Sequence, residues 1–483
     1  MTGVSLLEKP FIKLFHSPNS GYFYDVGKNE ILRIPENVYQ HLVQVMDGMS
    51  SLEKPEDESA IEMINSFIEL GYLSTKRPVK ILHSATNFAH LYLDRCIGKI
   101  TLQLTQECNF RCKYCIYSEE KNKKQRSHTN ESMSLETAQK AILFYREHAV
   151  DSNMYDIGFY GGEPLLAWDT LKESVLFAER ELAGKPVSFS ITTNASLLTE
   201  SKATFLQEHN VNVMVSLDGV KEIHDLNRVL PNGRGTYDLV LRNLRMLKSH
   251  FPSLYESLRI STVVDPRIDV SLFGKYPELI SDLPLANYSV SIEENTDQNV
   301  SLPHELCVEL EKETQLAFLA ECGLYSGIIK PYGYNQVRNI RNRQNALRST
   351  SGITDIMAPG GPCVPGKSRL FITCKGNFYP CERVNETEAN CIGNLERGFD
   401  IGKVKRILNV GAISSDKCKN CWAFRLCTIC IKRFDYDSGS ASEEKNKLCS
   451  SVQAAAFEYI RWMILIYEIE NNYSTVVRKR ANI

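Results

Sequence analysis

The stretch Lys99-Ile100-Thr-Leu-Gln-Leu104-Thr-Gln-Glu-Cys108-Asn-Phe-Arg-Cys112-Lys-Tyr114-Cys115 decides how this chain is read. An apolar strand, Ile100 to Leu104, runs into a loop with Cys108, Cys112 and Cys115. Three thiolates can hold a cube of four irons and leave one iron open. An open iron can bind a substrate, whereas a fully ligated cluster mainly passes electrons. The alternatives are a zinc site or three buried thiols. Three cysteines so close together are hard to explain as packing, and a closed zinc site wants a fourth ligand that the neighbourhood lacks.

Outward from this loop, Lys99 begins a series of strands alternating with helices. After a polar loop (Glu119 to Glu131), Ser134 caps a helix running to about His148. Asp156 to Phe159 is the next strand and Trp168 to Leu182 the next helix. Val187 to Thr192, Val211 to Leu217 and Leu258 to Val264 continue the strands. The alternation predicts an α/β fold with a parallel sheet and crossover helices, closing as a partial barrel. Active-site groups then lie at the C-terminal ends of the strands, the face that carries the three-cysteine loop.

Three further strand ends look suited to a ligand. Gly158-Phe-Tyr-Gly161-Gly162-Glu163-Pro164 offers close backbone approach, and its carbonyls with Glu163 can take protons from an ammonium group. Ile191-Thr-Thr193-Asn194 and Val215-Ser216-Leu217-Asp218-Gly219 end in short polar groups suited to a carboxylate or a ribose. Each alone is equally a turn cap.

The order CxxxCxxC, GGEP, TTNA and SLDG, followed by His224-Asp225-Leu-Asn-Arg228 and Gly233-Arg234-Gly235-Thr236, resembles the radical S-adenosylmethionine (SAM) superfamily over about residues 98 to 320. The resemblance implies a partial (β/α)6 TIM-like radical SAM barrel with a [4Fe-4S] cluster on Cys108, Cys112 and Cys115. It implies reductive cleavage of SAM to a 5′-deoxyadenosyl radical, with Tyr114, Gly161, Gly162, Glu163, Asn194, Ser216 and Asp218 as SAM contacts. It also implies an external reductant such as flavodoxin or ferredoxin. No acid or base can be picked from spacing.

Cysteines return after Gly360: Cys363, then Gly376-Asn-Phe-Tyr-Pro-Cys381, then Cys418-Lys-Asn-Cys421-Trp-Ala-Phe-Arg-Leu-Cys427-Thr-Ile-Cys430, and Cys449. This order resembles the SPASM domain, which holds two auxiliary iron–sulfur clusters. The resemblance assigns Cys418, Cys421, Cys427 and Cys449 to one cluster, and Cys363, Cys381 and Cys430 to the other, with Cys374 a candidate fourth ligand to an iron that the family sometimes leaves open. Together these imply three [4Fe-4S] clusters. Only Thr428 and Ile429 separate Cys427 from Cys430, one residue fewer than the family usually has, which puts the partition of these two in doubt. A zinc ribbon on the paired cysteines is the competing reading. Cys391 is an exchange ligand or a buried thiol, and Cys96, Cys307 and Cys322 are read as structural.

The first hundred residues form a different block. Tyr22 to Ile34 reads as two strands around Gly27-Lys28-Asn29, followed by helices through Val38 to Val45 and from Ile61 to Leu70, stopped by Gly71. This resembles a winged-helix-like peptide-recognition domain that leads maturases of ribosomally made peptides (RiPPs). The domains expected are residues 1–95 for recognition, 96–325 for the barrel, 326–450 for SPASM, and 451–483 for a docking helix, apolar nearly all round from about Val452 to Glu470, and tail.

Composition sets the remaining bounds. A formal charge of −2 gives no global attraction to nucleic acid. The segment Met1 to Pro10 is no signal peptide, and Trp462 to Tyr467 is too short to span a membrane. The fifteen cysteines therefore sit in a chain read as cytoplasmic, where metal ligation outweighs disulfides. The whole resembles an enzyme that installs thioether crosslinks from Cys to carbon in a precursor peptide with a leader, the acceptor being a side-chain carbon (ranthipeptides) or an α-carbon (sactipeptides), with the overall resemblance leaning to the first. Carbon–carbon crosslinking or sulfatase maturation is the enzymatic alternative. An electron carrier or leader-binding scaffold is the non-enzymatic one.

Overall fold

The computed structural model describes residues 9–53, 57–115, 117, 128–275, 288–292, 303–344, 347–360, 362–433 and 441–472. The chain forms two compact units, each drawn from separated stretches: residues 1–87, 338–362 and 408–483 make one, and residues 88–337 and 363–407 the other.

The first unit opens with a three-stranded antiparallel sheet, β1 (Ile12–His16), β2 (Gly21–Asp25) and β3 (Glu30–Ile34). β2 and β3 are the two strands expected, and β1 was not anticipated. The turn between them brings Asp25 opposite Glu30, with Asn29 at φ 60°, a left-handed conformation that Asn tolerates. Asp25 accepts from the backbone N–H groups of Lys28 and Leu73, both at 2.8 Å, so the turn is tied to the chain that leaves the block.

Helix α1 (Glu36–Asp47) stops at Gly48, which takes φ 78° and donates to the last carbonyls. Helix α2 (Glu58–Glu69) starts three residues earlier than periodicity suggests, because Asp57 caps it by accepting from Ser59 N. Ile12, Phe23, Ile34, Val38, Leu42, Ala60, Ile64 and Leu73 form the block's core. A short strand β4 (Lys80–Ile81) pairs in parallel with Ile356–Met357.

The long helix of this unit, Ala441–Asn472, begins eleven residues before the expected Val452. It is also one-sided rather than apolar all round. Val452, Ala456, Tyr459, Ile460, Met463 and Ile464 are buried, while Leu465 and Tyr467 are exposed. Phe457 stacks on Phe15 with centroids 4.8 Å apart, and Glu468 accepts from Ser17, Asn19 and the Tyr22 hydroxyl. The helix thus covers the β1–β2 region of its own unit.

The second unit begins with α3 (Ala89–Arg95) and is built on six parallel strands in sequence order: β5 (Ile100–Thr105), β6 (Tyr155–Gly161), β7 (Val187–Thr193), β8 (Val211–Ser216), β9 (Arg259–Val264) and β10 (Tyr288–Ile292). The first five are those read from periodicity, and β10 completes the six. Connections run through α4 (Leu135–His148), α5 (Trp168–Glu181), α6 (Glu200–Glu208), α7 (Lys221–Asn227), α8 (Tyr237–His250) and α9 (Pro252–Ser257). Ser134 caps α4 as expected, accepting from Thr137 N. On the outer side of β5, Leu370–Ile372 adds a seventh parallel strand, followed by antiparallel pairs through Asn377–Tyr379, Gly393–Asn394 and Gly398–Phe399. Among the described residues, no helix is long and apolar enough to cross a membrane.

Candidate active site

The three-cysteine loop leaves the C-terminal end of β5 and is clamped on two sides. On one side stands the end of β6. Gly162 N donates to Thr105 O at 2.8 Å and Glu163 N to Glu107 O at 2.9 Å, so the strand pairing continues into the loop. A Cβ on Gly161 would lie 2.2 Å from Thr105 O and one on Gly162 2.0 Å from Glu107 O. The glycine pair is therefore required by the approach of the loop itself.

Glu163 is buried and accepts from Leu165 N, Thr193 Oγ1 and Asn194 N. Burial pushes its carboxyl up, against these three hydrogen bonds that pull it down. Both oxygens thus fasten β6 to the end of β7, where Ala195 takes φ 59°. Asn194 donates to Asn109 Oδ1 in the cysteine loop, and Asn109 returns a bond to Ser196 Oγ.

On the other side stands a clasp made by two motifs that sequence reading quoted without a role. Asp225 accepts from Thr236 N and Tyr237 N, opening α8. A Cβ on Gly235 would lie 2.2 Å from Asp225, and Thr236 Oγ1 donates to Arg228 O. The clasp presents two carbonyls to the loop: Arg111 N donates to Val229 O and Lys113 N to Asn227 O. It also presents Arg228, whose guanidinium lies 5.4 Å from the Tyr114 ring centroid.

Asp218, expected at a ribose, is tied into the protein on several sides. It accepts from Arg228 Nε at 2.8 Å, from Val263 N at 3.0 Å and from the Tyr114 hydroxyl. Ser216 stands half-buried at the end of β8. Tyr114 is thereby fixed within the cysteine loop, its phenol pushed well up by burial.

Each sulfur of the triplet meets an N–H donor: Phe110 N with Cys108 Sγ at 3.3 Å, Tyr117 N with Cys115 Sγ at 3.4 Å, and Arg228 Nη1 with Cys112 Sγ at 4.0 Å. Burial pushes the thiols of Cys108 and Cys112 up to about 12, so they ionise only when a metal supplies the compensating charge. Among the described residues, no three His, Cys, Asp or Glu side chains close around a single ion. Thiolates that hold different corners of an iron–sulfur cube stand further apart than those around one ion, and the donors above suit anionic sulfur.

In the first unit, Cys418, Cys421, Cys427 and Cys449 line one cavity of about 220 Å³, together with Pro359, Phe424, Lys445 and Gln453. Burial raises the thiols of Cys421, Cys427 and Cys449, Cys427 to about 11. Four convergent thiols in a cavity of this size fit a fully ligated cluster. Cys449 reaches the cavity because the helix starts at Ala441.

Of the remaining candidates, Cys430 belongs to the first unit and Cys363, Cys374 and Cys381 to the second. Cys374 is buried against β5: its N–H donates to Gln103 Oε1 and its thiol to Gln103 O at 3.1 Å. Gln103 in turn donates to Glu386 and to the Tyr117 hydroxyl. Cys363 is exposed and Cys381 half-buried, and the Cys391 thiol donates to Gly393 O. Cys322 is buried as a structural thiol would be, whereas Cys307 is exposed.

The radical SAM superfamily matches residues 102–265, the span from β5 to β9. The radical SAM cyclopropyl synthase TigE of Paramaledivibacter caminithermalis is 25% identical over 89% of this chain and 88% of its own length. A cysteine-type anaerobic sulfatase-maturating enzyme of Clostridium novyi is 24% identical over 72% of this chain and 91% of its own length. Among solved structures, native anSMEcpe with bound AdoMet matches 76% of this chain and 98% of its own at a TM-score of 0.59 and 20% identity, which is a likeness of fold. The chain carries a radical SAM domain and is homologous to the cyclopropyl synthase and to the anaerobic sulfatase-maturating enzymes.

Proposed function

We propose that this protein is a peptide maturase that installs thioether crosslinks from Cys to carbon in a ribosomally made precursor. The observation that carries this reading is the four-cysteine cavity, present in the same chain as the three-cysteine loop. Abstraction of a hydrogen atom followed by bond formation to sulfur removes a pair of hydrogens from the peptide. One leaves as an atom, the other as a proton, and one electron is left over. A fully ligated cluster is a place for that electron.

SAM with its cluster supplies the 5′-deoxyadenosyl radical when bound. In this reading Cys108, Cys112 and Cys115 hold the cluster, and the strand ends at Gly161, Gly162, Asn194 and Ser216 bind SAM. Tyr114, Glu163 and Asp218 are read as SAM contacts beside them, and their hydrogen bonds within the protein hold those strand ends in place. The auxiliary ligands are Cys418, Cys421, Cys427 and Cys449 for one cluster, with Cys363, Cys374 and Cys381 read as ligands of the other. The block β1–β3 with α1 and α2 is read as the leader-binding domain, and a flavodoxin or ferredoxin as the reductant. A peptide substrate agrees with the sulfatase-maturating relatives and with an anSMEcpe structure that contains AdoMet and the Cp18Cys peptide.

A second reading is an intrapeptide carbon–carbon bond, favoured by the cyclopropyl synthase being similar along nearly the whole chain. Maturation of a sulfatase cysteine is a third, favoured by several relatives of that name. Anaerobic incubation with SAM, reductant and a cysteine-containing precursor separates them. A thioether removes a pair of hydrogens and consumes a thiol. A carbon–carbon bond leaves every thiol titratable, and sulfatase-type oxidation consumes a thiol without a link between residues.

A further inference from the structure

The helix Ala441–Asn472 carries Lys445, Cys449 and Gln453 four residues apart, hence on one stripe. All three line the four-cysteine cavity. Lys445 Nζ lies 3.3 Å from Cys418 Sγ and also donates to Ser414 Oγ. Gln453 Nε2 lies 3.3 Å from Cys421 Sγ. Lys445 is 1% exposed, among the largest fully buried side chains of the described residues. A buried ammonium is expensive unless an anion pairs with it. Its hydrogen-bond partners here are the Ser414 hydroxyl and the Cys418 sulfur. The thiolates of a cluster would supply the missing negative charge.

We propose that Lys445, assisted by Gln453, is the counter-charge of an iron–sulfur cluster held by Cys418, Cys421, Cys427 and Cys449, and that it raises that cluster's reduction potential. The inference rests on the reading of this cavity as a cluster site. A cube held by four thiolates is anionic, and reduction adds one further negative charge. A fixed cation and an N–H donor aimed at the sulfurs therefore favour the reduced form. A raised potential suits a cluster that takes up the single electron left when a peptide loses one hydrogen as an atom and a second as a proton.

The test is a redox titration of the full-length, iron-reconstituted protein followed by electron paramagnetic resonance, with iron content measured alongside. Lys445→Met is expected to lower one midpoint so that reduction becomes at least about tenfold less favourable, which is ~59 mV for one electron. Lys445→Arg should hold that midpoint near the wild-type value, and the other clusters should not move. Ser414→Ala, which loosens the ammonium without removing it, and Gln453→Leu should shift the same midpoint downward by less. Unchanged midpoints in Lys445→Met at full iron content would overturn the proposal. Should that variant fail to hold iron, unchanged midpoints in both Ser414→Ala and Gln453→Leu would overturn it. Wild-type iron content in a Cys418→Ala, Cys421→Ala double variant would be a different failure, removing the cluster and the proposal with it.

Discussion

Arg228 and Asp218 form an ion pair at 2.8 Å, with side chains 9% and 1% exposed, at the point where the clasp after β8 meets the three-cysteine loop. Asp218 also receives the Tyr114 hydroxyl, and Arg228 reaches Cys112 Sγ. The pair thus links the end of β8 to the sulfur that follows Arg111. Removing one member of a buried pair strands the other charge in a medium that cannot solvate it, at a cost of about 3–5 kcal/mol. Arg228→Met is therefore expected to lower the stability of the metal-free protein by that amount, measured by anaerobic denaturant unfolding. A loss below about 1 kcal/mol would contradict the account of the pair.

Gly162→Ala tests the clamp from the β6 side. Its Cβ would fall 2.0 Å from Glu107 O, so the loop must move away. The expected result is loss of about four irons per chain, the share of the three-cysteine site. The iron held by the four-cysteine cavity should remain. Unchanged iron content would show that the loop tolerates the displacement.

His224 gives the protein an acid-sensitive element. The ring is fully buried: Nδ1 accepts from Asp218 N, and Nε2 donates to Thr236 Oγ1, which passes a bond on to Arg228 O. Burial, and secondarily Arg228, hold its pKa well below the ordinary 6.5. Below that value the unfolded imidazole takes a proton that the folded one refuses, so the unfolded state binds more protons and stability falls as pH falls. From about pH 6.5 downward the loss from this group approaches ~1.4 kcal/mol per pH unit. His224→Gln should flatten that part of the profile, read from denaturant midpoints across about pH 5 to 7. An identical slope in wild type and variant would contradict the assignment.

Deleting residues 1–95 is, on sequence grounds, a way to weaken leader binding while sparing SAM cleavage. The packing of the first unit changes that expectation. Phe15 stacks on Phe457, and Arg425, between Cys421 and Cys427, donates to Val26 O and Gly27 O. Truncation should therefore also lower iron retention at the four-cysteine cavity. Substitutions on β3, an edge strand of the N-terminal sheet, leave those contacts in place and are the cleaner test of leader affinity. Retention of full iron content by the truncated chain would contradict this coupling.

The first five barrel strands were legible because each is a short run with apolar residues between turn signals, and Ser134 named the start of α4 by its own side chain. The cysteines were legible because no packing argument explains their spacing. Asp218 and Glu163 were not, since a carboxylate at a strand end reads equally as a ligand contact or as a cap, and only their partners decide. Arg228 was quoted in a motif but had no role until Thr236 and Asp225 folded it back onto the loop. The early start of the last helix was hidden because Ala441 to Ser451 is mostly polar, and its one buried residue is Lys445. That polar turn of helix carries Lys445 and Cys449 to the cavity.

The most direct test of the central claim is mass spectrometry of a precursor peptide after anaerobic turnover, with 5′-deoxyadenosine measured in the same reaction and a Cys112→Ala control. Any short open reading frame beside this gene that encodes cysteines supplies the precursor to test. The account predicts 5′-deoxyadenosine from the wild type alone, and a peptide that has lost a pair of hydrogens and one free thiol for every link. A peptide left at its original mass with all thiols free, while 5′-deoxyadenosine accumulates, would contradict it.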